Sequence, residues 1–235
     1  MITAVGVVVP ARDEQDLIEP CLRALRQALW RLPTRVERAV CVVADRCADD
    51  TAARARSVFG DWATGRVVVT DRPRTIGEVR DLGVHAVRAE LAGHAASEIL
   101  LLNTDADTRV ASGWAREHLR RVERGAHAVT GPAELAGPFP GSPHAARRYH
   151  AVVSGGVNVY GANLGVRADA FDTVGGFGVC RTGEDHDLWR RLGEAGFRCR
   201  VEPAAVVRTS ARLDGRAPDG LASLLRSTLR EEPVA

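Results

Sequence analysis

The sequence predicts an α/β fold with a mostly parallel central sheet flanked by helices. Three observations carry this. Short apolar, β-branched runs alternate with segments of helical spacing through the first half of the chain. Each run ends at a proline or polar turn, as buried strands do. No apolar stretch is long enough to cross a membrane.

Residues 5–9 (Val5-Gly6-Val7-Val8-Val9) form an apolar run that stops at Pro10. Residues 14–31 place Leu17, Ile18, Cys21, Leu22, Leu25 and Leu29 at helical spacing. Residues 39–44 read as a second buried strand. Asp49 or Asp50 is positioned to cap a helix over 51–59. Residues 66–70 form a third strand, 76–89 a third helix and 99–102 a fourth strand. A βαβαβαβ order implies a parallel sheet covered on both faces, with ligands beyond the carboxyl ends of its strands. Functional residues are therefore expected after Val9, Val43, Val69 and Leu102.

The second half is less regular. It reads as a helix over 114–124, a strand over 126–130 and a Gly/Pro-rich loop over 131–144. A helix over 145–153 and a strand over 161–167 follow. Next come a helical turn over 168–174, a helix over 185–195 stopped by Gly196, a strand over 198–201 and a terminal helix over 218–231.

Composition bounds the function. The 235 residues are 45% hydrophobic, which excludes a disordered chain and allows a substantial core. A net charge of +2, with 30 acidic residues scattered among the basic ones, gives no case for nucleic acid. All 32 basic residues are arginine, so Arg120-Arg121 and Arg147-Arg148 read as solvated helix faces. Arg147, Arg148, Tyr149 and His150 could instead meet a phosphorylated or acidic acceptor. The five cysteines, Cys21, Cys41, Cys47, Cys180 and Cys199, are odd in number and lack C-x-x-C spacing. Neither a zinc site nor a disulfide framework is expected, and a reducing, cytoplasmic setting fits. The N-terminal apolar run lacks the flanks and length of a leader or span.

Four segments carry chemistry. Asn103-Thr104-Asp105-Ala106-Asp107-Thr108 follows the fourth strand. Two carboxylates at i and i+2 can converge on a hard cation, Mg²⁺ or Mn²⁺, which in turn can hold a diphosphate. The plain alternative is two aspartates in a turn. Gly183-Glu184-Asp185-His186-Asp187 opens an amphipathic helix, where acids also serve the helix dipole. One carboxylate there, Asp185 first and Glu184 second, is a candidate general base. Asp45, at the end of the second strand, can accept hydrogen bonds from a base or ribose. Cys47 beside it reads as a packed small residue. Arg80, near a helix start, can donate to phosphate oxygens, although such an arginine is more often a surface residue.

In this order the segments resemble family 2 of the inverting glycosyltransferases, whose fold is the GT-A (Rossmann-like) sandwich. Val8-Val9-Pro10-Ala11-Arg12-Asp13-Glu14 looks like the family's opening of the nucleotide site, implicating Pro10, Arg12 and Glu14. The stretch from Val42 to Thr51 looks like the base-and-ribose segment. Asn103-Thr104-Asp105-Ala106-Asp107 looks like the metal-binding D-x-D, with Asp105 and Asp107 as ligands. Gly161-Ala162-Asn163-Leu164-Gly165-Val166-Arg167, with Phe171 and Val174-Gly175-Gly176-Phe177, looks like the acceptor-side segment. Gly183-Glu184-Asp185, with Leu188 and Arg191, looks like the E-D motif that supplies the base.

Two departures stand out. Asp13 occupies the family's usual asparagine position, and Ala44-Asp45 stands where two aspartates are common. The Q-x-x-R-W motif of processive synthases is absent.

The resemblance implies one domain over residues 1–235, with a nucleotide-binding half (about 1–110), an acceptor half (about 111–205) and a C-terminal tail (206–235). It implies metal-dependent transfer of one sugar from a UDP- or GDP-sugar to a small-molecule or lipid-linked acceptor. Arg80 would steady the diphosphate, and residues 207–212 could close over it. A retaining enzyme of the glucosyl-3-phosphoglycerate synthase type is the nearest alternative. It could use a C-terminal histidine as a third metal ligand, but the last histidine here is His186. A sugar nucleotidyltransferase would need a Gly-rich loop after the first strand, which Pro10-Ala11-Arg12-Asp13-Glu14 is not. A non-catalytic nucleotide-sugar-binding protein is the remaining alternative.

Overall fold

The computed structural model describes all residues except 61, 63, 156–157, 216–219 and 231–235. Its elements in chain order are β1 (Ala4–Ala11), α1 (Ile18–Trp30), β2 (Glu37–Asp45), α2 (Thr51–Phe59), β3 (Gly65–Thr70), α3 (Ile76–Glu90) and β4 (Ile99–Asn103). Then follow β5 (Thr108–Val110), α4 (Trp114–Glu123), β6 (Ala128–Thr130), β7 (Ala133–Ala136), α5 (Pro143–Ser154), β8 (Leu164–Arg167) and α6 (Ala168–Thr173). The last are α7 (Glu184–Glu194), β9 (Cys199–Val201), β10 (Val207–Ser210) and α8 (Leu221–Arg230).

Seven strands form the main sheet in the order β3-β2-β1-β4-β8-β6-β9. The β3-β2-β1-β4 half is parallel throughout, as the alternation of strands and helices requires. β8 runs antiparallel to both β4 and β6. It therefore lets β6 and β9 run in the same direction as β1. A second sheet, β5-β10-β7, was not anticipated. β7 lies inside the segment read as a loop, and β5 and β10 are too short and polar to stand out.

The continuous apolar character of β1 has a simple cause, because both of its faces are buried. Val5, Val7 and Val9 face a core with Leu22, Leu25, Leu29, Trp114 and Leu119 from α1 and α4. Val8 faces the other core, with Val84 and Val87 of α3, Phe171 of α6 and Leu188 and Leu192 of α7. Gly83 lets α3 lie close on β1, since a Cβ there would meet Val8 Cγ1 at 2.3 Å.

The helix ends follow local rules. Thr75 and Glu78 form a capping box at the start of α3, with each side chain bonded to the other's backbone N–H. At α2 the capping acceptor is Asp49, not Asp50. Its Oδ1 accepts from the backbone N–H of Thr51 at 3.0 Å. The terminal helix expected over 218–231 is seen as α8, and residues 218–219 and 231 of that expectation lie outside the described residues. Tyr149 departs from the solvated-face reading of α5. It is buried against Phe139, with ring centroids 5.5 Å apart, while Arg147 and His150 stay exposed. No described helix is long and apolar enough to cross a membrane.

Candidate active site

Adjacent parallel strands β2, β1 and β4 end on one edge of the sheet, and the segments singled out above gather there. Two non-glycine residues on that edge adopt left-handed backbone, Asp13 (φ 49°) after β1 and Arg46 (φ 47°) after β2. Such conformations cost free energy and persist where the surroundings enforce them. Here the enforcement is visible. Asp13 Oδ1 accepts from the backbone N–H of Ala48 at 2.7 Å, which ties the two loops together. Thr51 Oγ1 accepts from the Glu14 N–H at 2.7 Å.

Asp45 ends β2 almost fully buried, and Arg46 flanks its carboxylate at 3.3 Å. Pro10 is buried in β1, and Arg12 is exposed. Burial pushes the Cys47 thiol pKa up, which disfavours the thiolate, and its Sγ lies 3.5 Å from Ala11 O.

Asp105 and Asp107 lie in the turn after β4. The Asp105 side chain is 38% exposed and that of Asp107 only 14%. Burial, followed by the charge of Asp105, pushes the Asp107 carboxyl up to about 6 despite the nearby Arg212 guanidinium. The small sheet brings Arg212 there. The β10 strand pairs with β5 and carries Thr209, whose hydroxyl reaches Asp107 Oδ1 at 3.4 Å. Arg212 NH2 then lies 3.0 Å from Asp107 Oδ2. The same guanidinium donates to both carboxylate oxygens of Glu14, at 2.8 and 2.5 Å. Glu14 is thus engaged by the C-terminal segment. Nothing local in sequence marked Arg212 for this, since it is one arginine among 32 basic residues.

The most consequential contact joins the two acidic motifs. Arg80 of α3 is 3% exposed, not a surface residue. Its NH2 donates to Asp105 Oδ1 at 2.8 Å, and its Nε donates to Glu184 Oε1 at 3.0 Å. Burial alone would lower its pKa, but the charges of Asp105, Glu184 and Asp185 outweigh that and raise it. NH1 has no partner among the described residues. The glycine at 161 makes room for this guanidinium, as a Cβ there would stand 2.3 Å from NH2.

The first turn of α7 separates its acids by role. Glu184 is buried on Arg80, and burial is the main cause that raises its pKa. Asp187 is held by Arg190 and Arg191, at 2.7 and 2.8 Å. Asp185 is only half-buried. Its Oδ2 accepts from the Gly161 N–H at 2.6 Å and its Oδ1 from the His186 N–H at 2.8 Å. Two backbone donors thus orient its carboxylate.

A cation would find oxygen ligands at Asp105 and Asp107, and the mutual repulsion of these carboxylates is what a divalent ion relieves. Two buried oxygens beside them, Asn103 Oδ1 at the end of β4 and Thr104 Oγ1 in the turn, have no partner among the described residues. A second cluster, Asp13, Cys47 and Asp49, has ligand atoms within 4.8 Å of one another. Asp13 is bonded to Ala48, and Asp49 to Gln15 and Thr51. That cluster is accounted for as loop and helix capping.

Solved structures share this arrangement of strands and helices. A mannosyltransferase from Pyrobaculum calidifontis, in complex with GDP-Man and Mn²⁺, superposes with a TM-score of 0.59 at 18% identity. The match covers 95% of this chain and 68% of that one. TarS 1-349 of S. aureus, in complex with UDP-GlcNAc, gives 0.64 at 14% identity, covering 97% and 65%. GalNAc-T7, with UDP, GalNAc and Mn²⁺, gives 0.66 at 13% identity, covering 97% of this chain and 48% of that one. At these identities the likeness shows a shared GT-A fold. No curated protein sequence matches the chain. Residues 6–184 match the model of glycosyl transferase family 2, so the chain belongs to that family and is a glycosyltransferase.

Proposed function

We propose that the protein transfers a single sugar from a nucleoside diphosphate sugar, UDP- or GDP-linked, to an acceptor hydroxyl with inversion at the anomeric carbon. One observation carries the proposal. Arg80, buried, ties Asp105 of the D-x-D turn to Glu184 of the E-D turn, although these residues are far apart in sequence.

In this reading, residues from about 1 to 110 bind the donor and those from about 111 to 205 face the acceptor. Pro10, Arg12 and Asp45 line the nucleoside, and Asp105 and Asp107 hold Mn²⁺ or Mg²⁺ on the diphosphate. The ion, when bound, neutralises charge on the departing nucleoside diphosphate. Arg80 positions Asp105 and Glu184, and through Asp105 it steadies the diphosphate. Glu14 orients Arg212 toward the same group. Asp185 takes the proton from the acceptor hydroxyl, because its carboxylate is accessible and aimed. The acceptor is a small molecule or a lipid-linked compound met by a cytoplasmic protein.

Titration calorimetry with UDP and with GDP, each with and without Mn²⁺, tests the donor half. Metal-dependent binding of one nucleotide is expected. Binding of neither by folded protein would overturn the donor assignment. The anomeric configuration of the product tests inversion.

A further inference from the structure

The edge of the main sheet opposite the candidate active site carries a second feature. Asn103 of β4 and Thr130 of β6 both register with Leu164, so β4 and β6 end on the same edge. The residues that precede β6 and the parallel β9 therefore lie at the other edge. There, a cavity of about 230 Å³ is lined by Arg121, Arg124, Gly125, Ala126, Arg198 and Arg200. Four of the six lining residues are arginines, and none is acidic.

The simple explanation is that cations neutralise the carbonyl end of α4. The local hydrogen bonds do not require it. Gly125, at φ 94°, closes α4 as a Schellman turn. Its N–H donates to Val122 O at 2.8 Å, and the Ala126 N–H donates to Arg121 O at 3.2 Å. The carbonyls of Arg121 and Val122 in that last turn thus have backbone partners. Arg198 Nε donates to Gly125 O, and Arg121 is paired with the buried Glu202 at 2.8 Å. Among the described residues, the Arg200 side chain bonds only the Cys199 carbonyl. The guanidinium of Arg124 has no hydrogen bond or ion pair among the described residues. Glu123, adjacent in sequence, is turned to Arg35. The neighbourhood is correspondingly positive. His127, between Gly125 and β6, has its pKa lowered by burial and then by Arg167 and Arg198.

We infer that this cavity is a phosphate-binding site, taking an anionic phosphate or pyrophosphate group on Arg124, Arg198 and Arg200. Guanidinium forks suit phosphate oxygens, and Arg121, held by Glu202, gives the cavity a fixed wall. The sequence hid the site because its arginines come from two segments far apart in the chain. The ligand could be a free anion or the headgroup of an anionic lipid, and the site does not depend on the donor reading above.

The test compares the full chain with Arg124→Gln/Arg200→Gln, two exposed residues whose side chains hold no other element in place. Inorganic pyrophosphate is titrated by calorimetry, and vesicles of phosphatidylcholine with or without phosphatidylglycerol are assayed by sedimentation. Unfolding temperature and nucleotide binding are expected to match between the two proteins. Loss of two charge-assisted contacts should weaken phosphate binding by at least about tenfold. A tenfold loss toward pyrophosphate supports the site with a soluble ligand. A loss confined to phosphatidylglycerol vesicles supports it with a lipid ligand. Equal binding by both proteins, or none by either, overturns it.

Discussion

Arg212 lies 3.0 Å from Asp107 while it also holds both carboxylate oxygens of Glu14. A guanidinium therefore supplies positive charge to the carboxylate of the D-x-D turn that needs it most. With the Asp107 carboxyl pushed up to about 6 by burial and Asp105, a metal held there as proposed would compete with a proton. Mn²⁺ affinity is expected to be constant above about pH 7 and to fall by about tenfold per unit below pH 6. Arg212→Gln should move that fall to higher pH. Calorimetric Mn²⁺ titrations across the range check this, and an affinity indifferent to pH would remove Asp107 from the metal site.

Arg80 offers a stability test. Arg80→Gln leaves the buried Glu184 carboxylate unpaired, which should cost about 3–5 kcal/mol in denaturant unfolding. The double change Arg80→Gln/Glu184→Gln should recover much of the loss. Simple addition of the two single effects would show that the pair is not coupled.

Gly161→Ala probes the same guanidinium from outside, because its Cβ would stand 2.3 Å from Arg80 NH2. The protein should still fold. Activity should drop as far as in Arg80→Lys, since both displace the bond to Asp105. Normal turnover in Gly161→Ala would mean that Arg80 has slack the structure does not show.

Asp185→Asn separates chemistry from binding. Turnover should fall by about 10²–10⁴-fold with donor-nucleotide affinity unchanged, as loss of a general base predicts. If Asp185→Asn keeps its turnover while Glu184→Gln loses it, the base is Glu184.

His118 sets a pH dependence of stability. Trp114 Nε1, a donor only, bonds Asn163 Oδ1 at 2.8 Å, and His118 Nε2 bonds the same oxygen at 3.0 Å. His118 must then carry its proton on Nε2. Its Nδ1 is buried without a partner among the described residues. Burial lowers the pKa to about 4, against 6.5 for the free side chain. Between these values the unfolded chain binds the extra proton, so stability falls as pH drops from 6.5 toward 4. The loss amounts to about 3 kcal/mol at most. Urea midpoints should show this slope, and His118→Gln should flatten it.

Much of the fold was legible because its cause is local. The unbroken apolar runs of β1, β2 and β4 dictate buried strands, and the spacing of Leu22, Leu25 and Leu29 dictates a helix face. The D-x-D and E-D acids stood out because they follow or open those elements. What the sequence determined alone was therefore the first half of the sheet, the family resemblance and the candidate acids. Tertiary structure decided the rest. β5, β7 and β10 are short strands whose pairing partners are remote in sequence, so no local pattern announces them. Arg80 looked like a surface residue until α3 packed across β1 and β2 and brought its guanidinium to Asp105 and Glu184. Glu184, Asp185 and Asp187 open one helical turn, where Asp185 was the first candidate base and Glu184 the second. They differ only by which donor each meets, an arginine of α3, the backbone at Gly161 or the arginines of its own helix. Pairings of that kind depend on distances between segments, which only the folded chain defines.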